Sequence, residues 1–328
     1  MLENIKHLTL NSNWVLSRVL CTLTILLVLL FSSFGYCKDI GFFYFTPHQR
    51  VDKIILENVK KAEKSVYLAS YSFTWEELFN LLKELKIKKK VDIKIFLEKQ
   101  PSDDKCAGLR NNIKLDKKNT LFHSKFIIID DKILLLGSLN FTEENFYLHH
   151  NNLIILNDRN LISFFKEKFI SWWCYEENGK FYQEKKFEVY FSPENDCEEK
   201  IKEIISSANS DIYFAQFDFT SENIAEEIIE KKKMGINVYG IIEKTKVSPY
   251  SVFYFLKDFN CEMKKSNTAG LLHDKFFIID KKIAIIGSYN PTKSAKENTE
   301  CLIIIKDENI SEKLLKEWKK LWRWYSIS

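Results

Sequence analysis

Glycine and proline are scarce in this chain, with nine Gly and five Pro among 328 residues. That scarcity excludes collagen-like, low-complexity and linker-dominated architectures and leaves dense regular structure. An excess of one charge is also missing: 49 Lys and Arg face 45 Asp and Glu, so composition alone names no polyanionic or cationic partner. The seven Cys form neither a CxxC pair nor a Cys/His cluster with metal-ligand spacing, which argues against zinc. What is plentiful is apolar material, 45% of the residues, enough for a sizeable core and about two domains.

One long apolar run exists, "VLCTLTILLVLLFSSFGYC" from Val19 to Cys37, preceded by Glu3, Lys6 and Arg18. A short charged region before an uncharged core has the layout of a secretory signal, and Ser33 and Gly35 suit cleavage after Gly35. The run is also long enough to stay as a membrane anchor over residues 14–37. Residues 1–35 are therefore expected to be a signal peptide or an anchor, and the protein to be exported, as a periplasmic or secreted protein or held at a membrane. Tyr36 is too large for lipid attachment at Cys37. Cys21 lies in the run. Cys37, Cys106, Cys174, Cys197, Cys261 and Cys301 remain, as bridges or as buried thiols.

The rest of the chain repeats itself. "YFTP" at Tyr44 returns as "YFSP" at Tyr190, and "SVYLASYSFT" from Ser65 as "DIYFAQFDFT" from Asp211, at one constant offset. Val51, Ile54, Ile55, Val59 and Ala62 keep helical spacing, as do Ile201, Ile204, Ile205 and Ala208. A second helix follows near Glu76–Leu85 and Glu222–Met234, then a β-rich run, "VDIKIFLE" or "INVYGIIE". Each half ends in an aromatic-rich helix, "FFKEKFISWW" or "LLKEWKKLWRWY", read as a packing surface. The pattern gives an α/β fold in two lobes, residues 36–175 and 189–328, with a polar linker at 176–188.

The strongest repeat is "HSKFIIIDDKILLLGSLN" from His123 against "HDKFFIIDKKIAIIGSYN" from His273. Two apolar runs around a polar turn at Asp130–Lys132 or Asp280–Lys282 make a hairpin buried on both faces. Residues two apart on a strand share a face, so His123 points with Lys125, His273 with Lys275, Ser138 with Asn140 and Ser288 with Asn290. Each lobe thus offers half of a polar pocket. His149 and His150, outside the repeat, read as a solvent-facing loop.

These residues resemble the signature of the phospholipase D superfamily: His-x-Lys, an Asp five positions beyond the Lys, and Gly-Ser-x-Asn, in two copies. The resemblance runs from about Tyr44 to the C-terminal helix. It implies two α/β/α lobes with mixed sheets related by a pseudo-twofold axis, one active site at their interface, and no metal or other cofactor. It also implies a phosphodiesterase with a phosphohistidine intermediate: one imidazole attacks phosphorus and the other protonates the leaving oxygen. Lys125 and Lys275 would hold the non-bridging oxygens, with Ser138, Ser288, Asn140 and Asn290 as donors. Asp130 and Asp280 belong to the motif but sit at hairpin turns, where a turn role competes with a catalytic one.

In such proteins an acidic residue downstream of each motif bonds the imidazole. The second copy has Glu300, whereas the first has Asn151. Pairing within each lobe would put Glu300 on His273 and Asn151 on His123, making His123 the neutral nucleophile and His273 the general acid. The compact layout, similar to small exported bacterial nucleases, and the basic clusters at Lys86–Lys90 and Lys231–Lys233 place nucleic acid first as substrate. A membrane phospholipid is the alternative, and a catalytically dead binding module is a third reading. With both halves in one chain, no obligate dimer is required.

Overall fold

A computed structural model describes residues 41–99, 101–102 and 106–325. The N-terminal apolar segment, with Cys21 and Cys37, lies outside them. Among the described residues Cys174, Cys197, Cys261 and Cys301 are free thiols, and no helix is long and apolar enough to cross a membrane.

The first half runs β1 (Gly41–Thr46), α1 (Val51–Lys60), β2 (Ser65–Ser70), α2 (Glu76–Glu84), β3 (Asp92–Leu97), β4 (Ile113–Leu115), β5 (Phe126–Ile129), β6 (Ile133–Gly137), α3 (Glu143–Tyr147), β7 (Asn151–Leu156) and α4 (Arg159–Cys174). The second runs β8 (Tyr182–Gln183), β9 (Phe187–Ser192), α5 (Cys197–Ser206), β10 (Asp211–Gln216), α6 (Glu222–Lys233), β11 (Asn237–Ile242), α7 (Phe253–Asp258), β12 (Glu262–Lys265), β13 (Lys275–Ile279), β14 (Ile283–Gly287), β15 (Glu300–Lys306) and α8 (Glu308–Trp324). The first sheet has the order β1-β7-β6-β5-β2-β3-β4, and the second β12-β11-β10-β13-β14-β15-β9-β8. Both sheets are mixed: β2-β3-β4 and β10-β11-β12 are parallel and the other pairs antiparallel. The segment read as a linker contributes β8, which pairs with β9.

Side-chain alternation explains the layering. The outer face of the first sheet packs on α1 and α2 through Val51, Ile55, Leu78 and Phe79, and that of the second on α5 and α6 through Ile201, Ile205, Ile224 and Ile228. The inner faces meet in one shared core with α4 and α8, where Phe126, Phe165 and Phe169 join Phe191, Leu314 and Trp318. The two aromatic helices are therefore packing surfaces. Each is capped alike: Asp158 accepts from Leu161 N and Asp307 from Ile310 N. Burial of this much aromatic and aliphatic area, about 25 cal/mol per Å² of apolar surface, is what holds the halves together.

The turn aspartates are explained at this level. Asp130 has φ 54° and accepts backbone N–H bonds from Glu63, Lys64 and Ser65 at 2.7–3.2 Å. Asp280, with φ 52°, does the same for Asn209, Ser210 and Asp211. Burial works against each charge, but the backbone donors outweigh it and both carboxyls fall below their usual pKa. Both lie at the far end of the hairpin strand from the His-x-Lys, roughly 16 Å from the Lys at about 3.3 Å per residue. The catalytic reading of Asp130 and Asp280 is corrected: they pin the hairpin to the start of β2 or β10.

Candidate active site

The reciprocal seam between the halves builds the site. His123 N donates to Thr299 O and Thr299 N to Leu121 O; across the pseudo-twofold, His273 N donates to His150 O and His150 N to Leu271 O, all at 2.8–2.9 Å. The segment that follows each Gly-Ser-x-Asn is thereby laid beside the other copy's His-x-Lys. His149 and His150 accordingly sit in the seam and not in a solvent-facing loop: His150 is buried, with His48 and Trp324 against its ring, and His149 Nδ1 accepts from Leu271 N.

The pairing of the histidines is crossed in consequence. His123 Nδ1 meets Glu300 Oε2 at 2.8 Å, and His273 Nδ1 meets Asn151 Oδ1 at 2.7 Å. The within-lobe pairing expected from the sequence is corrected: the carboxylate serves His123 and the amide serves His273. Asn151 Nδ2 faces the acceptors Thr46 Oγ1, Asn145 O and His149 O, so its oxygen must face His273, whose Nδ1 then carries the proton. Glu300 fixes the same tautomer in His123, which leaves both Nε2 atoms without a proton when the rings are neutral.

The serines do not face a substrate as expected. Ser288 Oγ donates to Glu300 Oε2 at 2.5 Å and Ser138 Oγ to Asn151 Oδ1 at 3.2 Å. Each hydroxyl also receives a backbone N–H, from Cys301 or Asn152, so both orient the residues that orient the histidines. Asn140 and Asn290 are half-buried, each with an Oδ1 that lacks a partner. Gly137 precedes Ser138 because a Cβ there would stand 2.1 Å from Asn152 O; Gly287 faces Cys301 O in the same way.

Lys125 and Lys275 are 3% and 2% exposed, and each ammonium donates to the carbonyl of the histidine two residues before it. Burial is the main cause that depresses both, with Lys275 lowering Lys125 further and Lys246 lowering Lys275. Lys275 is pushed down to about 7 and Lys125 well below the usual lysine range, with Glu300 opposing both shifts. Burial lowers His123 as well, against the pull of Glu300. His273 is carried well below the ordinary value by burial and then by Lys275, Lys125 and His123, with no carboxylate to compensate. The cluster is thus a dry, cation-rich recess in which Glu300 is the carboxylate bonded to an imidazole, with Asp274 and Asp218 acting on Lys275 from nearby, suited to hold an oxyanion. Among the described residues no group of three or more His, Cys, Asp and Glu is placed to hold a metal ion.

Two duplicated supports escaped the sequence reading. Glu98 Oε2 accepts from Phe122 N and Glu243 Oε2 from Leu272 N, fixing the residue before each His-x-Lys. Tyr71 packs edge-on to His123 at 5.3 Å between ring centroids, and Phe217 to His273 at 4.9 Å. The signal was present: each Glu ends the β-rich run of its copy, and each aromatic follows the β2 or β10 strand at the same place.

The comparisons with known proteins fit this geometry. The family model described as "Cardiolipin synthase, PLD-like domain" matches residues 55–173 and again 201–322. A phospholipase D of Rickettsia prowazekii is 30% identical over 130 residues, 39% of this chain and 63% of that protein. A mitochondrial cardiolipin hydrolase of Chlamydomonas reinhardtii is 28% identical over 124 residues, 36% of this chain and 55% of the relative. The matched stretch therefore spans less than two thirds of either relative's length. The phosphatidylserine synthase structure from Haemophilus influenzae superposes with a TM-score of 0.69 at 12% identity, covering 88% of this chain and 86% of that one, which shows the two-lobed fold. With both copies of the motif matched and both lobes superposed, the chain belongs to the phospholipase D-like family.

Proposed function

We propose that this protein is a phosphodiester hydrolase that works through a phosphohistidine and that its substrate is a phospholipid. The observation that carries the chemistry is the pair of buried lysines, each bonded only to a backbone carbonyl, converging on two imidazoles with open Nε2 atoms. A phosphodiester monoanion supplies the missing negative charge.

Attack by His123 Nε2 forms a P–N bond while the P–O bond to the leaving group breaks, and His273 gives that oxygen its proton. Water then attacks phosphorus, the P–N bond breaks, and the water's proton passes to His273. The expected assignment of His123 as nucleophile is kept, on a new ground. The attacking ring gains positive charge, and Glu300 beside it stabilises that charge in the transition state. His273 has only the Asn151 dipole. Bound phosphate offsets the surrounding cations and lets it take up a proton, which it then releases readily.

The names of the relatives, phospholipase D and cardiolipin hydrolase, support a lipid substrate. The basic clusters that favoured nucleic acid weigh less in three dimensions. Lys86 donates to Gly108 O and Asn112 Oδ1, Lys89 to Lys60 O, and Lys231 to Ser206 O. Those ammonium groups cap carbonyls at the N-terminal ends of the strands, away from the His-x-Lys.

The test is turnover in EDTA of a soluble diester, bis(4-nitrophenyl) phosphate, beside phospholipid vesicles, RNA and plasmid DNA, with His123→Ala and His273→Ala as controls. Hydrolysis of the soluble diester and the lipid, lost in both variants, is expected, with trapped label on His123. Cleavage of RNA or DNA with vesicles untouched would move the substrate to nucleic acid, label on His273 would reverse the roles, and binding without any turnover would leave a binding module.

A further inference from the structure

The two halves share one plan, so a place where they part company is a place the fold does not explain. The connector from β3 to β4 reads "EKQPSDDKCAGLRNN" (98–112) and holds no aromatic residue; its counterpart from β11 to β12 reads "EKTKVSPYSVFYFLKDFNC" (243–261) and holds five. Packing accounts for Phe253, which is buried in the outer core with Val252 and Leu256. It does not account for the others: Tyr250 is 84% exposed, Tyr254 51%, Phe259 39% and Phe255 37%.

The segment begins at the carboxyl end of β11, next to the end of β10, where Gln216 is in register with Lys275. It starts at the rim of the catalytic recess: Lys246 Nζ lies 4.9 Å from the centre of the Phe217 ring, which packs on His273, and Val252 N donates to Phe219 O. Lysines frame the rings. Lys265 Nζ donates to Tyr254 Oη at 2.9 Å and lies 5.1 Å from the Phe253 ring; at the far end of the segment Lys233, paired with Glu230, has its Nζ 5.4 Å from Phe259. Between 244 and 261 three lysines stand against the single acid Asp258. Exposed aromatic rings with lysine ammonium groups set among them are the arrangement that suits the boundary of an anionic bilayer.

We propose that residues 247–259 dock this protein on an anionic phospholipid surface, with Tyr250, Tyr254 and Phe255 entering the headgroup layer beside the active-site mouth. The segment delivers the site to its substrate, and in that respect the inference rests on the phospholipid reading above. Single-stranded RNA, whose bases could stack on the same rings, is the rival occupant that the experiment separates.

The experiment is backbone hydrogen exchange on the full chain, alone and with vesicles of phosphatidylglycerol, of phosphatidylcholine, or with a single-stranded RNA. Slowed exchange across 247–259 with phosphatidylglycerol, and none across 106–112, is expected. Unchanged exchange at 247–259, or slowing by RNA alone, overturns the proposal. In a second arm the triple variant Tyr250→Ser, Tyr254→Ser, Phe255→Ser should lose about tenfold in vesicle hydrolysis while hydrolysis of the soluble diester is unchanged. An equal loss on both substrates would assign these rings to the site itself and overturn the docking role. Protection of 247–259 in a protein that hydrolyses the soluble diester but no lipid keeps the docking surface and removes the phospholipid substrate.

Discussion

Replacing Glu300 by Gln tests the crossed pairing at its most consequential point. Glu300 is 1% exposed and lies 2.8 Å from His123 Nδ1. For full charges about 4 Å apart, centre to centre, at an effective dielectric of about 20, the attraction is about 4 kcal/mol. Gln keeps an acceptor oxygen, and attack develops only part of the ring charge, so about 2–3 kcal/mol of transition-state stabilisation is at stake, a fall of about 30- to 150-fold in rate. The assay is kcat/KM for the soluble diester in EDTA, with the imidazole nitrogens of both histidines followed by NMR. The expected result is that loss, with the Nδ1 signal of His123 displaced and that of His273 nearly unmoved. A fall of less than threefold, or a displaced His273 with His123 unmoved, would refute the argument.

Three further outcomes follow from the same geometry. Asp130→Ala strips the acceptor from three backbone N–H groups near the surface, at about 2–3 kcal/mol; thermal unfolding should drop by about 5 °C, with turnover per folded molecule unchanged. Gly137→Ala drives a Cβ to 2.1 Å from Asn152 O and should cost about 3 kcal/mol, read in a urea melt, with Ser138 displaced and activity reduced. Lys275, at about 7 in the fold against 10.5 for the free side chain, leaves the unfolded chain holding more protons between those values. Its own contribution therefore makes the unliganded protein more stable as pH rises from about 7 to 10.5. Tungstate, which binds the protonated form, should raise the melting temperature strongly at pH 6 and little at pH 9.5; a pH-independent increment would show that the lysine does not hold the anion.

Strand alternation made half of this site readable. The two-residue repeat of a strand grouped His123 with Lys125, just ahead of β5, and Ser138 with Asn140, just past β6, and the duplication marked which polar residues belong together. Alternation is silent about the neighbouring lobe. The exchange of partners between Asn151 and Glu300 arises from the Thr299–Leu121 and His150–Leu271 bridges, which no periodicity encodes. For the same reason His150 looked like loop while being seam, and Asp130 looked like chemistry while serving three backbone donors contributed by residues some sixty positions away. The exposed aromatics of the second connector were equally hidden, since a run such as "VFYFL" reads as core until burial separates Phe253 from Tyr254 and Phe255.

Asn151 in place of a second carboxylate also bears on how the cycle ends. Under the proposed chemistry the substrate is a phosphodiester with one negative charge, and the product is a phosphomonoester with nearly two at neutral pH. A recess with two buried ammonium groups and one carboxylate bonded to an imidazole holds the more highly charged species more tightly. The feature that draws substrate in therefore retards the product's departure, so product inhibition and a release-limited turnover are built into the charge count of the seam.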